Sequence, residues 1–244
     1  MSGTTPDRCV DTGRTADPRR PWTPSSLLGS LAGPARDRFL ALGTRVEYGT
    51  GRVLMREGED TAFVLVLLDG VVKATGRTHD GRDALLAVRM RGELVGELAA
   101  MDGGSRSATV TTCGAVTARV VGREAFLGCL HREPAIARAV NASVVAKLRA
   151  ANNHRIDFTG CDAATRLARV LHQMALSHGE RVDGALVIRW PITQPELATL
   201  SGTAEPTVQK ALRRFREAGA VSTGYRAIRV EDLSVLHGLA YDRP

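Results

Sequence analysis

The chain has 244 residues, with 33 lysines and arginines against 26 aspartates and glutamates, a formal charge of +7, and 43% hydrophobic residues. That length and apolar content suit two small domains with cores of their own, and the basic excess favours a polyanionic partner without selecting one. No apolar run reaches the roughly 18 residues of a membrane span, and no basic stretch leading into an apolar one opens the chain, so a cytoplasmic protein with no membrane partner is expected.

Residues 1–24 contain almost no large apolar side chain before Trp22 and are expected to form a flexible arm. The stretch from Ser26 to Leu40 has helical spacing. Short alternating runs follow: Arg45–Tyr48, Arg52–Met55, Ala62–Leu68, Gly70–Thr75, Ala84–Val88, Ala108–Cys113 and Val116–Val121, with glycine-rich turns between them. Regular short strands with this punctuation predict a sandwich or rolled barrel over residues 44–121.

The apolar period then changes from two to about 3.6. Arg123–Leu130 predicts a short helix. From Pro134, which is tolerated in a first helical turn, Ile136, Val140, Val144 and Leu148 recur every four residues, with Ala151 beside them, predicting one long helix to about residue 159. Its narrow apolar seam suits pairing with a second copy, and packing on its own domain is the alternative. A second helix is expected from Asp162 to Ser177, and a strand from Ala185 to Trp190.

Thr193-Gln194-Pro195-Glu196 places a hydroxyl at a cap position and a carboxylate three residues later, a capping box that starts a helix at Gln194. It breaks at Ser201-Gly202-Thr203 and restarts near Ala204, running to Ala218. The second helix turns Val208, Leu212 and Phe215 inward and leaves Gln209, Lys210, Arg213, Arg214 and Arg216 free, a surface suited to a major groove and its phosphates. Val221–Val230 reads as a β-hairpin wing whose Arg226 and Arg229 reach a backbone. The candidate DNA contacts are Thr193, Gln194, Thr203, Glu205, Thr207, Gln209, Lys210, Arg213, Arg214 and Arg226.

Between two strand runs lies Gly96-Glu97-Leu98-Ala99, followed after a short interval by Arg106-Ser107-Ala108. The segment resembles the phosphate-binding cassette of cyclic-nucleotide-binding domains. With the downstream helix-turn-helix, residues 27–235 resemble the Crp/Fnr family of bacterial regulators. The chemistry needs these residue types: a cyclic phosphodiester carries one negative charge, a helix starting near Leu98 offers free amides to it, and glycine lets it approach. Arg106 adds a directional cation. By resemblance, Glu97 accepts from the ribose 2′-hydroxyl and Ser107 donates to the phosphate.

The resemblance implies an α+β protein: an N-terminal β jelly-roll sensor at residues 25–133, a dimerisation helix at 134–159, and a winged helix-turn-helix domain at 160–244. It implies a homodimer on double-stranded DNA, with RNA polymerase as a further partner, and an allosteric cyclic nucleotide, cAMP or cGMP, as the effector in place of any covalent cofactor. The expected ligand residues are Gly96, Glu97, Leu98, Ala99, Arg106, Ser107, Ala108 and Asn152; the expected dimer residues are Ile136, Val140, Val144, Leu148 and Ala151.

Three departures qualify the resemblance. Seven residues separate Leu98 from Arg106, one fewer than in some members. Ala151 and Asn152 stand where two neighbouring hydroxyls contact adenine, so base selectivity changes; Asn152 either reads a base or sets the register of paired helices. Glu205 and Pro206 replace an arginine and a glutamate at the start of the recognition helix, so the usual half-site is not the expected one.

Other readings stay open at this point: a degenerate pocket independent of ligand, a haem or redox sensor, or a regulatory subunit of an enzyme. Cys9, Cys113, Cys129 and Cys161 form no C-x-x-C pair, and the chain lacks the common hydrolase and phosphate-loop motifs, so neither a metal site nor catalysis is expected.

Overall fold

A computed structural model describes residues 22–79, 81, 83–189, 192–224 and 227–242. The arm expected over residues 1–24 lies outside them as far as residue 21, as do Trp190 and Arg226. Among the described residues, no helix is long and apolar enough to cross a membrane.

The helical stretch at the start is two helices, α1 (Leu27–Ser30) and α2 (Gly33–Leu40). Ser26 caps the first by accepting from the Gly29 N–H at 3.1 Å, and Pro34 sits in the first turn of the second, where a missing N–H costs nothing. Eight strands follow: β1 (Thr44–Tyr48), β2 (Val53–Met55), β3 (Val64–Asp69), β4 (Val71–Arg77), β5 (Asp83–Met90), β6 (Leu94–Val95), β7 (Thr109–Thr112) and β8 (Val116–Val121). They form two antiparallel sheets, β1-β8-β3-β6 and β2-β7-β4-β5. The short β6 was not foreseen, because two residues carry no period.

Strand β3 shows how the layers are built. Leu65 and Leu67 enter a core between the sheets with Val72, Val110 and Ala118, while Val64 and Val66 point the other way, under helices. A run apolar on both faces is what a strand buried from both sides requires. The covering helices are α1, α2, α4 (Arg123–Arg132) and the start of α5 (Pro134–Gly160), with Phe39 and Phe126 fully buried among them.

Helix α5 is a single 27-residue helix. Ile136 and Val140 are wholly buried in the core of their own domain, which corrects their assignment to a dimer seam. Periodicity marks an apolar stripe without saying what covers it. Past that point the stripe facing outward changes: Val145, Leu148 and Ile156 are 47%, 59% and 66% exposed.

The second domain holds α6 (Ala163–His178), β9 (Glu180–Val182), β10 (Ala185–Ile188), α7 (Gln194–Ser201), α8 (Glu205–Glu217), β11 (Val221–Gly224), β12 (Ala227–Val230) and α9 (Leu233–Tyr241), with sheet order β11-β12-β10-β9. Asp162 caps α6, its carboxylate accepting from the Thr165 N–H at 2.8 Å. Asp183 and Gly184 turn β9 into β10 with φ of 48° and 84°, the left-handed pair a two-residue hairpin demands. Leu167, Leu171, Val208, Leu212 and Phe215 make its core, and Leu85 and Val88 of β5 join that cluster from the first domain. Two polar contacts reinforce this junction: the Leu85 N–H donates to Thr199 Oγ1 at 3.2 Å, and Lys73 Nζ donates to Glu196 Oε1 at 2.7 Å.

Candidate ligand cassette and nucleic-acid interface

The cassette begins at Gly96, whose φ of +83° is left-handed; a Cβ there would lie 2.6 Å from Met55 Cε and 2.7 Å from Arg106 Nη1. Glycine is therefore required by packing as well as by any ligand. Helix α3 (Glu97–Asp102) starts immediately after it, one residue earlier than expected. Its first-turn amides lack intrahelical acceptors, and Arg123 Nε donates to the Ala100 carbonyl at 3.0 Å, occupying an acceptor toward its other end.

Arg106 is buried, at 3% exposure, beside this helix. Its Nε donates to Thr61 Oγ1 at 2.9 Å, Nη1 to the Gly96 carbonyl at 2.9 Å and Nη2 to the Phe63 carbonyl at 2.7 Å, and the guanidinium stacks over the Phe63 ring. Burial lowers its pKa, opposed by the charges of Glu59 and Glu97, and a guanidinium stays protonated at neutral pH regardless. Of five N–H donors, these bonds engage one on each nitrogen, so Nη1 and Nη2 each keep one for an anion. Ser107 is exposed and Ala108 half-buried next to it; Leu98 is exposed and Ala99 buried.

Glu97 is buried, and its partner is a residue the sequence did not single out. Lys147 of α5 donates to Glu97 Oε1 at 2.9 Å and to the Leu94 carbonyl at 2.7 Å. Burial pulls the Lys147 ammonium below the ordinary lysine range, with Glu97 opposing that pull. In the sequence, Lys147 looks like one more solvated lysine on a helix; only its place three residues after Val144 on the inward side hinted otherwise. Ala151 lies one turn beyond Lys147, whereas Asn152 continues the outward line of Val145 and Leu148; both are exposed. Val144 is half-buried.

The helix-turn-helix starts with the capping box read from the sequence: the Glu196 N–H donates to Thr193 Oγ1 at 3.3 Å, and the Thr193 N–H donates to Glu196 Oε2 at 2.9 Å. Glu196 also receives the bond from Lys73, a second role that no local pattern reveals. Burial raises the Glu196 pKa, but hydrogen bonds from Lys73 and Thr193 outweigh it and hold the carboxyl below its usual value. Thr193 and Glu196 thereby border a cleft of about 220 Å³ whose other wall is Thr50, Gly51, Lys73 and the Thr111–Cys113 strip of the first domain.

The turn places Gly202 at φ +58°, with Thr203 half-buried behind it. Helix α8 buries Val208, Ala211, Leu212 and Phe215 and exposes Glu205, Gln209, Lys210, Arg213 and Arg214, with Thr207 half-buried. Pro206, Gln209, Lys210, Arg213 and Arg216 line a shallow surface cavity of about 390 Å³. Arg216 Nη1 donates to Thr223 Oγ1 at 3.0 Å and so ties this helix to the wing strand β11. Arg229 Nε donates to Glu231 Oε2 at 2.8 Å at a partly exposed site; Arg226 lies outside the described residues. Gln194 is exposed at the start of α7. Among the described residues, no three histidine, cysteine or acidic side chains gather as metal ligands.

Comparison with known proteins agrees with this geometry. Residues 45–133 match the cyclic nucleotide-binding domain, and residues 165–239 match the Crp-like helix-turn-helix domain. The chain is 30% identical over 187 residues to the CRP-like cAMP-activated global transcriptional regulator of Mycobacterium tuberculosis, covering 77% of this chain and 84% of that one. It is 28% identical over 218 residues to the cyclic AMP receptor protein of Thermus thermophilus, covering 89% and 97%. Its fold is similar to that of FixK2 from Bradyrhizobium japonicum, with a TM-score of 0.72 at 22% identity over 83% of this chain and 100% of that one. The chain belongs to the Crp/Fnr family of DNA-binding transcription regulators, a family of non-enzymes.

Proposed function

We propose that the chain works as a homodimer whose affinity for double-stranded DNA is modulated by a cyclic nucleotide, with cAMP as the preferred effector. Residues 25–133 sense, 134–159 pair, and 160–244 bind DNA. The observation that carries this reading is the Lys147–Glu97 contact at 2.9 Å, because it joins the cassette to the helix that leads into the DNA-binding domain. A ribose hydroxyl arriving at Glu97 competes with or recruits Lys147 and so acts on α5 directly.

In this reading Gly96, Leu98 and Ala99 present backbone amides, Arg106 offers its two remaining N–H groups, and Ser107 with the Ala108 amide completes the phosphate seat. Two relatives carry cAMP in their names, which supports the choice of nucleotide. The paired surface is Val145, Leu148, Asn152 and Ile156, an exposed apolar line with an asparagine that fits a register-setting position in paired helices. Ala151 and Val144 flank that line. On DNA, Lys210, Arg213, Arg214 and the amide at Gln194 hold phosphates, while Gln209 and Glu205 face base edges; a carboxylate there favours a cytosine amino group over guanine.

A second reading rests on one specific observation: Arg106 is held in place by Thr61, Gly96 and Phe63, and Glu97 by Lys147, so the cassette keeps its geometry without any ligand. In that reading the chain binds DNA constitutively. Calorimetry with cAMP and with cGMP separates the two. Saturable heat with cAMP, reduced in Ser107→Ala, is the expected result; no heat with either nucleotide supports the ligand-independent reading.

A further inference from the structure

Arg166, in the first turn of α6, spans three carbonyls. Its Nε donates to the Ser201 carbonyl at 2.8 Å, its Nη2 to the Gly202 carbonyl at 2.8 Å, and its Nη1 to the Cys161 carbonyl at 2.8 Å. Ser201 and Gly202 end α7 and open the turn toward the recognition helix; Cys161 is the residue on which α5 ends. The last carbonyls of a helix have no intrahelical donors, so each of these acceptors is one the fold must satisfy from elsewhere.

We infer that Arg166 is a positioning residue for DNA binding, fixing the direction in which the recognition helix leaves the central helix. The turn does not need Arg166 to close: the Thr203 N–H donates to the Ala198 carbonyl at 2.9 Å, the Gly202 N–H to the Thr199 carbonyl at 3.2 Å, and the core under α8 is apolar. The guanidinium adds a rigid tie between that turn and the hinge at Cys161. A planar fork holds three acceptors in fixed directions, whereas an ammonium on a flexible stem offers one point. One turn on, Arg169 makes a parallel tie: it pairs with Asp157 in the last turns of α5 and donates to the Ala240 carbonyl of α9 at 2.7 Å. Both arginines therefore cross the hinge, and Arg166 alone of the two ends on the helix-turn-helix.

The inference rests on the proposed dimer, in which two recognition helices must be held about 34–36 Å apart to meet successive turns of DNA. Without the tie, each helix keeps its contacts but swings about Cys161, so the pair tolerates wrong spacings. The test uses the full-length chain, Arg166→Gln and Arg166→Lys, on a duplex recovered by selection from a random pool with the wild-type protein. Versions with the centre lengthened or shortened by one and two base pairs, and a single half-site, complete the set.

The expected result is that both variants fold cooperatively, melting a few degrees below the wild type because part-buried carbonyls lose their donor, and bind the single half-site within about twofold, while the preference for correct spacing falls by about fivefold or more. Lysine does not rescue it. Wild-type spacing preference in either variant overturns the inference, and so does unfolding of both, because Arg166 would then be holding the fold together and not its orientation. A wild-type protein with no spacing preference defeats the dimer reading instead.

Discussion

Glu97 and Lys147 lie 50 residues apart in sequence and 2.9 Å apart in space, one on the cassette helix and the other on the central helix. Their side chains are 7% and 20% exposed, so each is the other's main compensation for lost water. Lys147→Met is expected to cost about 3 kcal/mol by leaving a buried carboxylate unpaired, whereas Lys147→Met combined with Glu97→Gln costs much less than the sum of the single changes. Urea unfolding of the four proteins measures the coupling. Additive effects would mean that the pair carries no linkage between cassette and helix.

The recognition helix makes a different kind of prediction. Lys210 and Arg213 are exposed and face the same shallow cavity. If both neutralise phosphates, Lys210→Ala and Arg213→Ala each reduce the slope of log affinity against log salt by about 0.9, and they weaken binding to all duplexes alike. Gln209→Ala is expected to leave the slope unchanged and relax the choice of base. Filter binding between about 50 and 200 mM salt reads both effects.

The junction of α6 and α9 should respond to pH. His172 is 7% exposed, its ring meets His237 at 5.3 Å and Tyr241 at 5.4 Å, and Arg169 lies over Tyr241. Burial, with His237 beside it, holds the His172 imidazole below the ordinary histidine value. Just under that ordinary value the unfolded chain binds more protons than the folded one, so this group's contribution is intact above about pH 6.5 and declines as the pH falls further. His172→Phe removes that dependence. The drop in melting temperature between about pH 7.5 and 5.5 should be smaller in the variant than in the wild type; equal drops would exclude His172 as the cause.

Lys73 and Glu196 connect the two domains at a partly exposed site. Such a pair contributes at most about 1 kcal/mol, too little to affect the fold of either domain. Lys73→Ala is expected to loosen the docking of α7 on β5, seen as faster proteolysis near residues 160–162 and a larger radius in solution scattering, with the melting temperature unchanged. An unaltered cleavage rate would show that Leu85 and Val88 hold the junction alone.

How much of this was legible in the sequence depended on the range of each signal. The capping box from Thr193 to Glu196 and the glycine turn at Gly202 are local, and they appear where the pattern put them. So do the strands other than β6 and β9, since alternation is local too. The four-residue recurrence of Ile136 and Val140 identified an apolar stripe but not its cover, which proved to be Phe39, Phe126 and their neighbours. Helix α9 and strand β9 were missed, the latter despite the Asp-Gly pair that turns it into the expected β10, because a run of three residues carries no clear alternation. Contacts such as Lys147–Glu97, Lys73–Glu196 and Arg166–Ser201 join segments separated by 35 to 123 residues, a distance over which no periodicity speaks.

The most direct measurement is DNA affinity titrated with cAMP, on the duplex selected by the protein itself. A cassette that acts through Lys147 on the central helix should tighten binding by about fivefold or more, saturably, with a lesser response to cGMP. Identical affinities at every concentration of either nucleotide would contradict the proposed linkage between cassette and recognition helix.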